Sequence, residues 1–489
     1  MSLEFHVSLV GRNDLSGEIY RQLRSAMRDS RLRPGDRLPP TRELAKSLNV
    51  ARMTVTVAYE RLAGEGYVTS RIGAGTFVNP SVTTAISSTN RKRIAGQLKA
   101  RSVWKALRSS PAIAQPAFLR PARFDFRSGL PDASLFPHET WRRLVARELR
   151  ADTIGTGVYG EARGHRGLRY AIARHIAVSR GVEASADDIT ITNGTQQALD
   201  IVARLLLAPG DRVAVEAPGY SPATLLFTSS GLNVVGVPVD VGGLVVHALP
   251  RGVQLVYVTP SHQYPMGVSM TLVRRLALLA WADKNNAAII EDDYDSEFRF
   301  HGRPIETLHS LDTSGRVIYA GSFSKTMLPT LRLGFVVTPP SLREAVGVAK
   351  FVTDWHTPLP LQAALARFIE SGDFGRHLRR MRGVYEMRYD MISSLLARDF
   401  ADHLTPMPSV AGLHLAALSK TLPSEQIRDV ARRAADSGVE VQELSRFAVD
   451  GAKTPAGLVL GYGAISTDRI EEGMRLLRKQ FDGRRGSGQ

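Results

Sequence analysis

Lys325 follows two serines in the segment GSFSKTMLPTLRLG (residues 321–334), which also contains Arg332. A lysine amine can form a Schiff base with an aldehyde, and hydroxyl and guanidinium groups can bind a phosphate. About thirty residues earlier, AAIIEDDYDSEF places Asp292 and Tyr294 directly after an apolar run. This acidic run is equally compatible with a magnesium site or a solvated turn, so a third segment has to decide.

That segment, ITNGTQQALDIVARLLL, has the pattern of a strand, a Gly-Thr-Gln turn and a helix. The first backbone N–H groups of a helix are free and its dipole is positive there, which favours a phosphate beyond the turn. Together the three segments match what pyridoxal 5′-phosphate requires: an amine, a carboxylate that keeps the pyridine nitrogen protonated, and donors for the phosphate.

The elements around these segments predict an α/β fold. From residue 125 onward, short β-branched runs such as DITITNG, RVAVEAP, VQLVYVTP and RVIYAGS alternate with helical stretches. This alternation predicts βαβ units and a mainly parallel buried sheet, in which ligands bind at the carboxyl ends of the strands. A large part is expected at about 150–370, and VEVQEL and GLVLGYG predict a smaller α+β part at about 371–480.

Residues 14–78 predict three helices and a hairpin. LSGEIYRQLRSAMRDSRL has helical apolar spacing, and PPTRELAKSLNV and ARMTVTVAYERLAGEG follow as two short helices, the second stopping near Gly66. YVTSRIGAGTFV then alternates apolar and polar residues, as a two-stranded wing would. Two short helices joined by a turn fit a helix-turn-helix whose second helix lies in the major groove of DNA, and a plain three-helix bundle is the alternative.

The charge is concentrated at the start of the chain. Residues 1–124 hold 21 Lys and Arg against 8 Asp and Glu, or +13, which leaves +3 of the total of +16 for the remainder. A basic segment favours a polyanion, either nucleic acid or a membrane surface, because neutralised phosphates release counterions. Residues 79–124 contain nine Lys and Arg and no acid, so they are expected to be a basic linker that can become helical on a polyanion.

No stretch approaches the roughly 18 apolar residues of a spanning helix. The first residues, MSLEFHVSLVGRND, also lack the basic and apolar regions of a signal peptide. A cytoplasmic protein is therefore expected. The chain has no cysteine, which excludes disulfides and thiolate metal sites, and no metal site is predicted.

Residues 14–78 closely resemble the winged helix-turn-helix of the GntR family of bacterial regulators. From residue 125 to about 480 the chain resembles the fold-type-I aminotransferases, and the whole arrangement resembles the MocR subfamily of GntR regulators. The resemblance implies a winged helix-turn-helix domain at 1–78, a linker at 79–124 and a pyridoxal-phosphate-binding domain at 125–489. It implies DNA contacts from these residues: Arg42, Arg52, Thr54, Gly73, Gly75 and Thr76. Ala51 and Met53 depart from the family pattern, since a helix-capping serine and a polar residue are common there.

For the cofactor, the resemblance implies that Lys325 forms the internal aldimine and that Asp292, rather than Asp293, pairs with the pyridinium nitrogen. Tyr294 would bond the ring oxygen and Tyr220 would stack on the ring. The phosphate would be bound by Gly194, Thr195, Gln196, Ser322, Ser324 and Arg332.

Three further positions complete the cofactor expectations. Tyr159 would reach the phosphate of a neighbouring subunit. Tyr264 replaces the asparagine of the aminotransferase N-P-T-G motif, and His262 is placed near the ring instead. The departure leaves the tuning of the ring, and hence turnover, open.

The function expected from the resemblance is a homodimeric transcription regulator that senses pyridoxal phosphate or an amine or amino acid that condenses with it. Arg446 is the local candidate for an effector carboxylate, with a solvated surface arginine as the alternative. A working aminotransferase with an accessory DNA-binding domain is the rival function. A third interpretation, a mere dimerisation scaffold, conflicts with the presence of Lys325, Asp292 and Arg332 at family spacing.

Overall fold

A computed structural model of the chain describes residues 7, 14–71, 73–80, 99–110, 113, 122–150, 158–300, 302 and 306–482. The chain divides into two compact units, residues 1–100 and residues 101–489. Most of the basic segment expected to be a linker, 81–98 together with 111–112 and 114–121, lies outside the described residues. The predicted limits of that linker therefore stay a prediction.

The first unit contains the three helices and the hairpin that the sequence predicts. They are α1 (Leu15–Arg28), α2 (Thr41–Leu48), α3 (Arg52–Gly64) and the antiparallel strands β1 (Val68–Arg71) and β2 (Gly75–Val78). The helices pack through buried apolar side chains such as Ile19, Leu23, Val55 and Leu62. This arrangement confirms a winged helix-turn-helix rather than a plain three-helix bundle.

The caps of the first-unit helices match the local sequence. The Asp14 side chain accepts a hydrogen bond from the backbone N–H of Gly17 at the start of α1. Ala51 precedes α3 and makes no side-chain capping bond, as expected where a serine is absent. Helix α3 ends at Gly64, and Gly66 follows with a φ of 76°.

The second unit begins with α4 (Ser102–Arg108), which contacts the helix Ser221–Ser229, and β3 (Phe124–Asp125). Residues 101–110 and 122–124, which the sequence assigns to the linker, thus belong to this unit.

A mixed sheet of eight strands forms the centre of the second unit. Its strands, in chain order, are β4 (Ile189–Thr192), β5 (Arg212–Ala217), β6 (Asn233–Asp240), β7 (Gly243–Leu244), β8 (Val253–Val258), β9 (Ala288–Asp293), β10 (Val317–Ser322) and β11 (Gly334–Val337). They lie in the order β4-β11-β10-β9-β8-β5-β6-β7. The five strands from β10 to β6 are parallel, while β11 is antiparallel to both its neighbours and β7 is antiparallel to β6. The central strands are buried along nearly their whole length, which explains their continuous apolar runs.

Helices connect these strands. They are α5 (His138–Glu148), α6 (Arg166–Arg180), α7 (Thr195–Leu206), α8 (Ser221–Ser229), α9 (Leu272–Asn285), α10 (Leu308–Leu311), α11 (Arg343–Asp354) and α12 (Leu359–Glu370). Among the described residues, none of the helices is long and apolar enough to cross a bilayer.

The smaller α+β part predicted near the end of the chain is present. It contains α13 (Asp373–Asp399), β12 (Leu404–Pro406), β13 (His414–Ser419), α14 (Ser424–Asp436), β14 (Val439–Glu440), β15 (Gln442–Glu443), β16 (Gly457–Gly461) and α15 (Ile470–Asp482). Strands β12, β13, β16 and β15 form one sheet, and β14 pairs with β3. Phe124 and Phe126 therefore pack in the core of this part, although they precede the large sheet in sequence.

Candidate functional site

The carboxyl ends of β8, β9 and β10 open into a cavity of about 460 Å³ within the second unit. The strands are parallel, so residues that end different strands meet at one edge of the sheet. The cavity is lined by these residues that the sequence analysis singled out: Thr195, Gln196, Tyr220, Tyr264, Asp292, Tyr294, Ser322, Ser324, Lys325, Arg332 and Arg446.

Lys325 is half-buried in the cavity wall just after β10. Its Nζ donates a hydrogen bond of 2.8 Å to the carbonyl oxygen of Gly129. Burial lowers the pKa of the Lys325 ammonium. The neutral amine, which is the nucleophilic form, is therefore more accessible here than on a solvated lysine.

The two adjacent carboxylates at the end of β9 have different environments. Asp292 lines the cavity, and its Oδ2 accepts a hydrogen bond of 2.7 Å from the Tyr257 hydroxyl. Asp293 Oδ2 instead binds the buried Arg180 guanidinium at 2.6 Å and the Tyr319 hydroxyl at 2.7 Å. Successive residues of a strand point to opposite faces, so only Asp292 is presented to a ligand.

Burial raises the pKa of Asp292 to about 7. The hydrogen bond from Tyr257 opposes this rise and the charge of Asp293 adds to it. Asp292 Oδ1 is buried and has no hydrogen-bond partner among the described residues. A buried carboxylate with a free oxygen at a cavity wall is suited to a cationic N–H donor, such as a pyridinium.

Groups that could bind an anion line the same cavity as Lys325, among them Thr195 at the start of α7 and Arg332. Gly194 precedes α7 without a side-chain capping bond, so the first N–H groups of the helix remain free for a ligand. The Arg332 guanidinium lies against Gly194, since a Cβ built there would be 2.8 Å from Arg332 Nη2. Arg332 Nη2 also donates to the carbonyl oxygen of Asn193 at 2.8 Å. Gly194 is not among the residues that line the cavity, so any contribution it makes to the site comes from its backbone.

Three tyrosines form the aromatic wall. Tyr220 and Tyr264 are in edge-to-face contact, with ring centroids 5.7 Å apart. The Tyr264 hydroxyl lies 2.7 Å from Ser128 Oγ, and burial raises the pKa of Tyr264 to about 12. The Tyr294 hydroxyl donates to the carbonyl oxygen of His262 at 2.8 Å.

The His262 side chain is not among the residues that line the cavity, so its place near the ring stays a prediction. It is 1% exposed, and its Nδ1 lies 2.9 Å from Asp295 Oδ2. The His414 ring lies close by, tilted by 45° with ring centroids 4.5 Å apart, and burial lowers the pKa of His414 well below the usual value. Side-chain donors of His262, Asp295 and His414 all lie within 4.8 Å of one another. The contact with Asp295 holds the His262 ring in the protein interior, and the Tyr294 hydroxyl donates to the His262 backbone carbonyl.

Tyr159 lies outside the cavity and is 72% exposed, with its ring 4.0 Å from that of Trp355. Arg446 does line the cavity, and its backbone carbonyl accepts a hydrogen bond from Ser221 Oγ. Arg446 is thus a half-buried residue of the cavity lining, and its role toward an effector stays a prediction.

Several cavity residues escaped the sequence analysis. Tyr257 ends β8 beside β9, and its position in the apolar run VQLVYV made it look like a core residue. Ser128 and Gly129 precede the sheet by some sixty residues. Gly129 contributes only its carbonyl oxygen, and a backbone group gives no signal in the sequence. Gln442 and Phe447 come from the small part. The position of Tyr257 at a carboxyl strand end was the one available signal.

The first unit presents a basic helical surface. Arg42 on α2 and Arg52 at the start of α3 are exposed. Arg52 Nε lies 3.4 Å from Thr41 Oγ1, so the two helices meet at this point. Thr54 is half-buried.

The wing has two glycines in the left-handed region. Gly73 at the tip is exposed, with φ 76°. Gly75 has φ 113°, and a Cβ there would lie 2.8 Å from Arg37 Nε. Thr76 Oγ1 lies 3.3 Å from Ser70 Oγ on the opposite strand. The fold therefore requires glycine at 75 for packing as well as for backbone conformation.

Comparison with known families gives two matches that together cover most of the chain. The model of the gntR family of bacterial regulatory proteins matches residues 15–78, and the model of aminotransferase class I and II matches residues 130–452. The probable rhizopine catabolism regulatory protein MocR of Rhizobium meliloti is 39% identical over 474 residues, 96% of this chain and 94% of that protein. The HTH-type pyridoxine biosynthesis transcriptional regulator PdxR of Corynebacterium glutamicum is 31% identical over 453 residues, 93% of each chain.

Solved aminotransferase structures share the fold of the second unit. Kynurenine aminotransferase of Pyrococcus horikoshii, solved with PMP, is 27% identical with a TM-score of 0.69, covering 83% of this chain and all of that one. The α-aminoadipate aminotransferase LysN of Thermus thermophilus, complexed with N-(5′-phosphopyridoxyl)-L-leucine, is 28% identical with a TM-score of 0.67, covering 81% of this chain and 98% of that one.

Proposed function

Since this chain belongs to the MocR subfamily of GntR-family transcription regulators, we propose that its second unit binds pyridoxal 5′-phosphate. We further propose that the cofactor, or an amine or amino acid that reacts with it, changes the affinity of the first unit for operator DNA. The supporting observation is that one chain carries a winged helix-turn-helix in its first unit and, in its second unit, a cavity lined by Lys325, Asp292 and Arg332.

The donor set fits the cofactor group by group. Asp292 Oδ1, buried and without a partner, would hold a proton at the ring nitrogen. Tyr220 would cover one face of the ring, and Tyr294 would face its oxygen. The phosphate would be bound by the N-terminus of α7 and by these residues: Gly194, Thr195, Gln196, Ser322, Ser324 and Arg332.

When bound, pyridoxal 5′-phosphate supplies an electrophilic aldehyde carbon. Lys325 carries the amine that would attach it, and the depressed pKa of Lys325 keeps that amine available in its neutral form. The Gly129 carbonyl orients Nζ within the cavity. An effector amine would compete with Lys325 for the same carbon, and the Arg446 guanidinium would bind the carboxylate of an amino acid.

A ligand can alter DNA affinity only if it binds two arrangements of the protein unequally. An effector amine that replaced Lys325 on the cofactor would provide such a difference, because it would release the Lys325 Nζ and would occupy the space beside Arg446. A homodimer would present two reader units to half-sites about one or two helical turns apart. In such a dimer the exposed Tyr159 would reach the phosphate of the neighbouring subunit. DNA would be contacted by Arg42, Arg52, Thr54, Gly73, Gly75 and Thr76.

The proposal is tested with the full chain. Duplexes selected from a random library give the operator, and its Kd is measured at several salt concentrations. Borohydride reduction followed by peptide mass analysis then locates any covalently attached cofactor. We expect salt-dependent specific binding and attachment at Lys325. Lys325→Ala should lose that attachment, whereas Lys284→Ala, which changes an exposed lysine of α9, should keep it.

A catalytic aminotransferase is the second candidate, because the fold neighbours are enzymes and Arg446 lines the cavity. Steady keto-acid production over many turnovers would establish it. A single half-turnover, or none, would favour the regulator.

A further inference from the structure

Two large apolar side chains are exposed on α3, the recognition helix of the helix-turn-helix. Met53 is 67% exposed and Val57 is 46% exposed. Among the described residues of the first unit, they are the only large apolar side chains left open to solvent. An apolar side chain that stays in water does not stabilise the fold, so the stability of the unit does not explain why Met53 and Val57 are apolar.

Met53 and Val57 are four residues apart, which places them in one stripe along the helix. The opposite face of α3 is buried and carries Val55, Ala58 and Leu62. The stripe therefore points away from the core of the unit. Substitution on this stripe leaves the packing of the three helices unchanged.

The surroundings of the stripe are suited to DNA. Arg52 precedes Met53 and is exposed, and Arg42 is exposed on α2. Glu60, three residues beyond Val57, is exposed and ends the apolar stripe. The apolar stripe is thus confined to the first two turns of α3, the part of a recognition helix that contacts base edges.

In the major groove, one base carries an apolar group: the C5-methyl of thymine. We propose that Met53 and Val57 contact thymine C5-methyl groups in the operator and so select A·T pairs at two positions of each half-site. This inference rests on the proposed function, since it requires that the first unit binds DNA. The apolar stripe and the flanking arginines match the groove, which combines methyl groups with a phosphate backbone.

Burial of one methyl-sized group contributes about 0.8 kcal/mol, which corresponds to about fourfold in affinity. Replacing a contacted thymine by deoxyuridine removes the methyl and keeps every hydrogen-bonding group of the base. The loss of affinity therefore reports the apolar contact alone.

The experiment uses the full chain and the selected operator. Thymines are replaced by deoxyuridine one at a time, and Kd is measured at fixed salt for the wild-type protein, Met53→Gln and Val57→Ser. Gln matches Met in length and helix propensity, and Ser is close to Val in helix propensity but carries neither of its methyl groups. Val273→Ser, at a site 77% exposed on α9, is the matched control.

We expect wild type to lose about fourfold at one or two positions in each half-site. Met53→Gln should be indifferent to deoxyuridine at one of them and Val57→Ser at the other, while Val273→Ser should behave like wild type. Specific binding that ignores every methyl would refute this inference and leave the regulator function intact. If both variants lost affinity for the deoxyuridine operators as much as wild type does, the inference would also be refuted. The apolar stripe would then be better explained as a contact for a protein partner. Absence of specific binding to any duplex would refute both.

Discussion

Replacing Gly194 with alanine perturbs the proposed phosphate site through its backbone. Gly194 has φ 76° and ψ 176°, a conformation that only glycine adopts readily. The new Cβ would lie 2.8 Å from Arg332 Nη2 and 3.1 Å from Arg332 Cζ. The guanidinium therefore has to move, and its bond to the Asn193 carbonyl is lost or bent.

Two separate effects follow. The backbone strain should lower stability by about 1–3 kcal/mol. Displacement of Arg332 removes a charge-assisted bond to the phosphate, of about 1.5–3 kcal/mol, or about 10- to 150-fold in cofactor affinity. Gly210 provides the matched control, because its φ is 98° but a Cβ there has nothing within 4 Å. Gly210→Ala should lose stability in a similar way and keep its affinity for the cofactor.

The assay measures the melting temperature of both variants without cofactor, and the Kd for pyridoxal 5′-phosphate by titration of the cofactor absorbance. Equal cofactor affinities in Gly194→Ala and Gly210→Ala would refute the phosphate site at the start of α7. A loss confined to Gly194→Ala supports it.

Three further predictions concern the carboxylates and the reader helix. Asp292→Asn should lower cofactor affinity by about 10- to 150-fold with little change in melting temperature. Asp293→Asn should instead destabilise the protein by about 3–5 kcal/mol, because the charge of its buried partner Arg180 is left uncompensated. The reverse pattern in titration and melting would exchange the two roles. Burial raises the pKa of Glu216 to about 7, above an unfolded value of about 4.3, so its contribution to stability is lost as the pH rises between those values. The melting temperature of Glu216→Gln relative to wild type should therefore rise from pH 5 to 7 and level off above; a pH-independent difference would contradict this. Arg52→Ala should weaken operator binding and reduce the slope of log Kd against log salt by about one, measured by fluorescence anisotropy, and an unchanged slope would exclude a phosphate contact.

Most of the fold could be predicted from the sequence, because the helices and strands follow from the order of apolar and polar residues within short segments. Continuous apolar runs followed by amphipathic helices predicted the parallel strands, and the reader unit followed from short helices and a glycine-rich hairpin. The pairing of β3 with β14 was not readable, because it joins Phe124 to Val439 across more than three hundred residues. The strand β11, antiparallel between two other strands, has no distinctive sequence pattern either.

The sequence predicted those site residues whose side chains are themselves the reactive or charged groups. Lys325, Asp292 and Arg332 line the same cavity, as their spacing suggested, and their roles toward a cofactor stay predictions. The sequence does not show that the His262 ring lies 2.9 Å from Asp295 and outside the cavity lining, and its expected place near the cofactor ring stays a prediction. Gly129 was invisible because it acts through a backbone carbonyl, whose direction depends on a φ of 84° rather than on a side chain.

The most direct test of the central claim is the operator Kd of the full chain with and without pyridoxal 5′-phosphate and a panel of amines and amino acids, for wild type, Lys325→Ala and Lys284→Ala. Coupling between distinct sites is typically about 5- to 150-fold. We predict that wild type and Lys284→Ala change operator affinity at least about fivefold on ligand addition, and that Lys325→Ala does not. An operator affinity that is the same with and without every ligand, or a response that survives in Lys325→Ala, would contradict the account.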